Sequence, residues 1–378
     1  MYIGIIAVYN RSMFMKFISH INLDLNHKTI VLLYMLYFGD TVVLTPFLEV
    51  LRRAAPDSKI ILVMDGNYLD AVKYNPNVDE IVPVKRKELG LFGTWRLAKK
   101  LGKNNPDLLF VLQGTTRTTL MGLGIGAKLW IGRPGTRLDG LFMDHPICIT
   151  DDNLNAVDTY LKALQRIGVK DIRREGMKLY TCPEWEDGAR KFFESHGIHR
   201  GDRLAGYSVG STSIEKDWPA ERFGQVAEHF AKKGYRPVFF GIKREMELVE
   251  RAVKGLTCDP IIAADKLSMG EFIAAASWCS VGFTNDSGPM YVFDARGIPT
   301  VSMFGPSNAK NHYPLGKRST AISSWDMPVG QDHVNHTIRD GNYVPIDHIP
   351  TEEVIKAGEW ALGLRETDEY DGHIKYVK

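Results

Sequence analysis

Short apolar runs alternate with amphipathic helical runs along nearly the whole chain, and the alternation stops and restarts once. This pattern restricts the fold more than any single motif does. Thr29–Leu36 is apolar almost throughout, as suits a strand covered on both faces of a parallel sheet. The next segment, Asp40–Ala55, puts Val42, Val43, Phe47, Val50 and Leu51 on one helical face, and Ala55-Pro56-Asp57 ends it. Strands follow at Lys59–Met64, Glu80–Val84, Asp107–Gln113 and Lys128–Ile131. Between them the spacing predicts helices at Tyr68–Tyr74, Leu91–Leu101 and Thr118–Ala127, and Asn155–Ile167 closes this half as a longer helix. After the polar stretch Asp171–Pro183 and a helix over Glu184–His196, the pattern begins again. Its strands are Leu204–Ser208, Pro237–Phe240, Ile261–Ile262, Ser280–Thr284 and Thr300–Phe304. Its helices are Pro219–Lys233, Lys243–Val253, Met269–Ala276 and Ser287–Arg296, with a last helix at Glu352–Leu364. Successive βα units imply parallel sheets with right-handed crossovers. The expected fold is therefore α/β, with two Rossmann-like domains whose parallel sheets face a central cleft. Ligands in such folds sit at the carboxyl ends of strands, where strand order reverses.

The length of 378 residues fits two domains of about 150 residues each, plus terminal segments. The expected division is residues 1–28, 29–190, 191–350 and 351–378. The net charge of +2 gives no general attraction to nucleic acid, so anion binding must come from local clusters. Cys148, Cys182, Cys258 and Cys279 form no CxxC pair, which argues against a zinc site or redox dithiol and fits reduced thiols in the cytoplasm. No run reaches the about 20 apolar residues of a membrane span, so any membrane contact is expected to be peripheral. Residues 1–28 lack a basic start, a clean apolar core and a small-residue cleavage site. They read as an extension before the first core strand, with Met13 and Met15 as alternative starts.

Three segments at strand ends can carry chemistry. In Phe38-Gly39-Asp40-Thr41, spacing alone favours Asp40 as a helix N-cap, and the residue also suits a general base facing the cleft. Tyr207-Ser208-Val209-Gly210-Ser211-Thr212-Ser213, followed by Glu215-Lys216-Asp217-Trp218-Pro219, offers hydroxyls and a lysine to phosphate oxygens. It lacks the spacing of a Walker A loop and also reads as a solvated Ser/Thr loop. In Asn285-Asp286-Ser287-Gly288-Pro289-Met290, Asp286 or Ser287 caps a helix whose N–H groups and dipole favour an anion. Gly122-Leu123-Gly124-Ile125-Gly126 lacks the dinucleotide fingerprint and reads as close helix packing. His333 and His336 have no third ligand nearby, which argues against a metal site.

Together, five segments resemble glycosyltransferase family 9, the ADP-heptose:lipopolysaccharide heptosyltransferases. They are residues 39–46 (GDTVVLTP), 75–80 (NPNVDE), 216–223 (KDWPAERF), 285–290 (NDSGPM), and Gly297-Ile298-Pro299-Thr300 running into Phe304-Gly305-Pro306. The resemblance implies the GT-B fold, with residues 29–190 as an acceptor domain and 191–350 as a nucleotide-sugar domain. It implies that Asp40 is the base, that Ser211, Thr212 and Lys216 lie near the donor diphosphate, and that Glu245 meets the donor ribose. Asp286, Ser287 and Gly288 would contact sugar and phosphate. The sequence departs from the family at Tyr291, where histidine is usual, at Asp294 and Arg296 in a stretch usually small and apolar, and at Tyr34-Met35-Leu36-Tyr37, where a basic residue is common.

The function expected from these readings is inverting, metal-independent transfer of a heptose-like sugar from an ADP-linked donor to a lipopolysaccharide-core or related glycan. No resident cofactor is expected, because the nucleotide sugar is a co-substrate, and no DxD pair stands at a strand end. Lys216 and the helix end would stabilise the leaving diphosphate. Arg117, Arg133 and Arg137 lie near predicted strand ends and suit an anionic acceptor. The expected place of work is the cytoplasm, with peripheral contact at the inner face of the bacterial inner membrane. The alternatives are a nucleotide-sugar epimerase on the same scaffold and a non-catalytic sugar-nucleotide binding protein. A dehydrogenase is disfavoured by the missing glycine fingerprint.

Overall fold

The computed structural model of the chain describes residues 22–85, 88–133, 142–146, 154–327, 338–339, 341 and 343–377. In the first lobe, β1 (Thr29–Leu33), β2 (Lys59–Asp65), β3 (Glu80–Val84), β4 (Leu108–Val111), β5 (Leu129–Gly132) and β6 (His145–Pro146) form one sheet in the order β3-β2-β1-β4-β5-β6. In the second, β7 (Leu204–Ser208), β8 (Arg236–Phe240), β9 (Ile261–Ile262), β10 (Val281–Asn285), β11 (Thr300–Phe304), β12 (Thr320–Ser323) and β13 (Ile374–Tyr376) are ordered β13-β12-β11-β10-β7-β8-β9. Every pairing in both sheets is parallel. The central strands are buried on both faces: Ile30, Val31, Leu32 and Leu33 of β1 have no exposed surface, nor do Leu204, Ala205 and Tyr207 of β7. Strand order reverses between β1 and β4 in the first sheet and between β7 and β10 in the second. All three candidate segments follow strands at these two points, after β1, β7 and β10.

Local chemistry altered several expected elements. The helix expected over Asp40–Ala55 is two helices, Phe38–Val43 and Thr45–Ala54. Pro46 has no N–H to give to Val42, and the Thr45 hydroxyl donates to the Val42 carbonyl instead, at 2.7 Å. The helix expected at Tyr68–Tyr74 is a 3₁₀ run, Gly66–Ala71. Lys243–Val253 begins with a 3₁₀ turn, Lys243–Glu245, before the α-helix Met246–Val253. The Gly122–Gly126 stretch packs closely: a Cβ at Gly122 would lie 2.5 Å from the Trp130 ring, and one at Gly124 would lie 2.6 Å from Ala98. Leu25 belongs to the core and Leu23 donates to the Ile167 carbonyl, so the end of the expected extension packs on the first lobe.

The chain passes between the lobes near residues 178–179. The Lys178 N–H donates to Thr45 Oγ1 at 3.1 Å and its ammonium pairs with Glu49, both in the first lobe. The neighbouring Leu179 carbonyl accepts from Arg296 of the second lobe at 3.0 Å. The expected division at 190/191 falls inside the helix Pro183–Glu194, which packs on Met269–Ala276 of the second lobe. The helix Thr351–Ala361 also packs on the second lobe, beside Ala220–Lys232, and β13 extends that sheet.

Candidate active site

The lobes meet where two helices that follow β1 and β10 face each other, Phe38–Val43 from the first and Gly288–Ala295 from the second. Phe38 lies 3.6 Å from the Cβ position of Gly288, and a Cβ on Gly39 would fall 2.7 Å from the Tyr291 ring. Gly39 is therefore required by the approach of an aromatic ring from the opposite lobe.

Asp40 occupies the third position of its helix, not the N-cap, which is Tyr37. Its Oδ2 accepts the Tyr37 N–H at 3.2 Å, so the carboxylate does satisfy an end group of the helix while it faces the other lobe. The Asp40 carbonyl accepts from the Tyr34 hydroxyl at 3.1 Å, and that hydroxyl also bonds Tyr160 at 2.8 Å. Burial pushes the Asp40 carboxyl above the usual carboxylate range, and the nearby Asp286 charge adds to the rise. His312, the Tyr37 N–H and Lys216 oppose it only in part.

From the second lobe, Lys216 Nζ lies 2.6 Å from Asp286 Oδ2, with side chains only 15% and 8% exposed. Burial disfavours the Asp286 charge, but Lys216 and His312 outweigh it and hold the carboxyl below its ordinary value. Ser287 is the N-cap of Gly288–Ala295 but makes no side-chain cap bond; its hydroxyl points back to the Asn285 carbonyl at 3.4 Å. Pro289 has no N–H and the Met290 N–H donates to the Ser287 carbonyl at 3.1 Å, so the Gly288 N–H is the donor this helix start offers to an anion.

Asn285 fixes the loop after β7. It donates to the Val209 carbonyl at 2.9 Å and accepts the Trp218 N–H at 3.1 Å, and the Trp218 indole donates to Ile349. This ties the ends of the loop carrying Ser211, Thr212 and Lys216 to β10. The Ser211 hydroxyl is turned inward to the Ser213 carbonyl at 2.7 Å, whereas Thr212 is exposed. Glu245 stands beside this loop: a Cβ on Gly210 would meet its side chain at 2.6 Å, and its Oε2 accepts the Ile242 N–H at 3.0 Å. Burial raises its carboxyl above the ordinary range.

The departures noted in the sequence have structural roles. The Tyr291 hydroxyl bonds His312 Nδ1 at 3.0 Å. Asp294, buried, accepts the Leu315 and Gly316 N–H groups at 3.0 and 2.7 Å, holding the segment just after His312. Arg296 holds Glu186 and the Leu179 carbonyl. His312 is the site residue that sequence reasoning missed. It lies in a four-residue helix, Ala309–His312, with no periodic pattern, and only the tyrosine standing in place of a histidine hinted at it. Of the proposed acceptor arginines, Arg133 is exposed just after β5 and lies close enough to Tyr160 to favour that phenol's ionised form. Arg117 is in the first turn of Thr116–Ile125, after β4. Arg137, like His333 and His336, lies outside the described residues.

Residues 94–340 match glycosyltransferase family 9 (heptosyltransferase). The chain belongs to that family. This family 9 chain is 24% identical over 339 residues to lipopolysaccharide heptosyltransferase 3 of Escherichia coli K12, covering 87% of this chain and 96% of that protein. A solved family 9 glycosyltransferase from Veillonella parvula DSM 2008 is 34% identical, with a TM-score of 0.84 over 91% of this chain and all 100% of the other. The structure of E. coli ADP-heptose lipopolysaccharide heptosyltransferase II, at 18% identity, superposes with a TM-score of 0.67 over 89% of this chain and 99% of its own, which supports the shared GT-B fold. The chain is thus a family 9 glycosyltransferase with two parallel-stranded lobes. Among its described residues, no helix is long and apolar enough to cross a membrane.

Proposed function

We propose that this family 9 chain is an inverting, metal-independent transferase. It would move a heptose-like sugar from an ADP-linked donor to a lipopolysaccharide-core or related glycan, working in the cytoplasm. In this reading the first lobe receives the acceptor and the second holds the nucleotide sugar. The observation that carries it is the meeting across the cleft of a half-buried Asp40, its carboxyl raised above the ordinary range, with a Lys216–Asp286 pair and the start of the helix at Gly288.

An acceptor hydroxyl must lose its proton as its oxygen bonds to the anomeric carbon and the bond to the leaving phosphate breaks. Asp40 takes the proton, a role typically worth about 10²–10⁴ in rate. Its raised affinity for a proton makes it a better base once it is ionised. The diphosphate leaves with added negative charge, and Lys216, the Ser211 and Thr212 hydroxyls and the Gly288 N–H meet that charge. Asp286 holds Lys216 in place, so the ammonium is oriented before the donor arrives. Glu245 accepts from the donor ribose. Arg117 and Arg133, with Arg137, meet acidic groups on the acceptor.

The test is a thermal-shift panel of ADP-, GDP-, UDP- and CMP-sugars, followed by transfer with and without chelator and assignment of the product anomer. Ligands that bind the folded state raise its apparent stability. ADP-linked donors should give the largest shift, the chelator should leave transfer unchanged, and the anomeric configuration should invert. Isomerised donor formed without acceptor would replace this reading with an epimerase, and binding with no turnover would replace it with a sugar-nucleotide binding protein.

A further inference from the structure

The helix Leu91–Gly102 buries one side and presents a divided one. Thr94, Ala98 and Leu101 are turned into the first lobe. The outer stripe begins with Leu91 and Phe92, which are 76% and 80% exposed, and continues through Trp95 at 38%. One turn later it becomes cationic, with Arg96, Lys99, Lys100 and Lys103 all exposed. The helix carries no acidic residue to offset them. Lys99 lies over the Trp95 ring, 4.8 Å from its centre, which joins the apolar and cationic parts. Exposed adjacent leucine and phenylalanine cost solubility and stabilise nothing inside this lobe, so they point to an outside contact.

The position of this stripe in the fold matters. Leu91 follows the carboxyl end of β3, and Asp40 follows the carboxyl end of β1; in a parallel sheet these ends share one edge. The apolar turn therefore stands on the cleft edge of the first lobe, and the cations run away from it along the lobe's flank.

We propose that this face docks on an anionic phospholipid bilayer. Leu91, Phe92 and Trp95 enter the interfacial zone, and Arg96, Lys99, Lys100 and Lys103 meet lipid phosphates. An amphipathic helix lying in the interface plane uses this division of apolar contact and charge. Charge complementarity selects the lipid over a second copy of the chain, because two such faces would oppose like charges. Docking in this orientation brings the cleft edge to the membrane surface, which serves a membrane-anchored acceptor; that purpose rests on the acceptor class proposed above.

The full chain should co-sediment with vesicles of phosphatidylcholine and phosphatidylglycerol but not with vesicles of phosphatidylcholine alone. Binding should weaken severalfold for each cation reversed and fall further in high salt. L91E with F92E should lose vesicle binding, and K99E with K100E should lose at least about tenfold in affinity. Both variants change exposed side chains and should retain the far-ultraviolet spectrum and turnover of a detergent-free, water-soluble acceptor fragment. Vesicle binding with no transfer in the wild-type chain would sink the functional reading and leave the docking face intact. Equal binding to neutral and anionic vesicles would overturn the proposal. Full binding by L91E/F92E, or a dimer in sedimentation velocity that the same variant abolishes, would do so too.

Discussion

Asp40 and Asp286 are the same residue type, one half-buried and one buried, on opposite walls of one cleft, yet their carboxyls are driven in opposite directions. Burial dominates at Asp40 and lifts its proton affinity. At Asp286 the burial penalty is overcome by an ammonium 2.6 Å away, with His312 contributing. Whether partners outweigh burial thus decides the direction of the shift, and the two lobes use that difference to different ends. Among the described residues, the carboxylate of the first lobe makes no ion pair, which suits it to taking a proton. The second keeps one whose carboxyl is held below its ordinary value, suited to holding a cation in place.

The sharpest way to break the comparison is to remove the carboxylate of the first lobe. Asp40→Asn should lower kcat by about 10²–10⁴ while donor affinity measured by calorimetry stays within about threefold. Turnover near the wild-type rate would remove Asp40 as the base. The second lobe should respond in stability as well as rate. Lys216→Met leaves Asp286 buried without its ion partner, and urea unfolding should show a loss of about 3 kcal/mol. Adding Asp286→Asn should recover most of that stability without restoring transfer, which separates the charge pair's structural role from its catalytic one.

A smaller effect has the opposite sign. Because the folded state holds the Asp40 proton at pH values where the unfolded chain has released it, this group lowers stability as pH rises from the ordinary carboxyl value of about 3.9 through its raised folded value. Asp40→Asn should therefore be more stable than wild type at neutral pH, an advantage that disappears below about pH 4. Differential scanning calorimetry across that range would show it, and a pH-independent difference would contradict the burial argument. The smallest expected effect concerns His312. Its positive form lowers the Asp40 pKa, so His312→Gln should move the acid limb of the kcat/KM profile to higher pH. Tyr291→Phe, which removes the bond at 3.0 Å to Nδ1, should move it the same way but less. An unmoved limb in both would show that His312 has no influence on the base.

Much of this architecture was legible along the chain because strands buried on both faces must be apolar from end to end. β1, β2, β7 and β10 stand out for that reason. β12 and β13 did not. β13 is three half-buried residues on a sheet edge, and its pairing with β12 is decided by where the helix Thr351–Ala361 delivers the chain. The helix break at Leu44 was readable in principle, since Pro46 cannot donate, but the hydrophobic face runs through it unbroken. Asp40, Lys216 and Asp286 stood out as candidates because each lies in a segment that follows a strand, whereas Glu245 was singled out only through the family resemblance. Their electrostatic states were not legible, because neither burial nor a partner seventy residues away leaves a local mark.

The order of residues alone determined two parallel-sheet lobes and the loops that end at their cleft, since hydrophobic periodicity and turn residues act over a few positions. Tertiary structure decided that Gly39 faces Tyr291, that Tyr291 holds His312, and that Lys216 lies against Asp286 while Asp40 accepts a backbone N–H. These contacts join segments far apart in sequence. Their energies depend on distances and on exclusion of water that exist only once the two sheets have closed on each other.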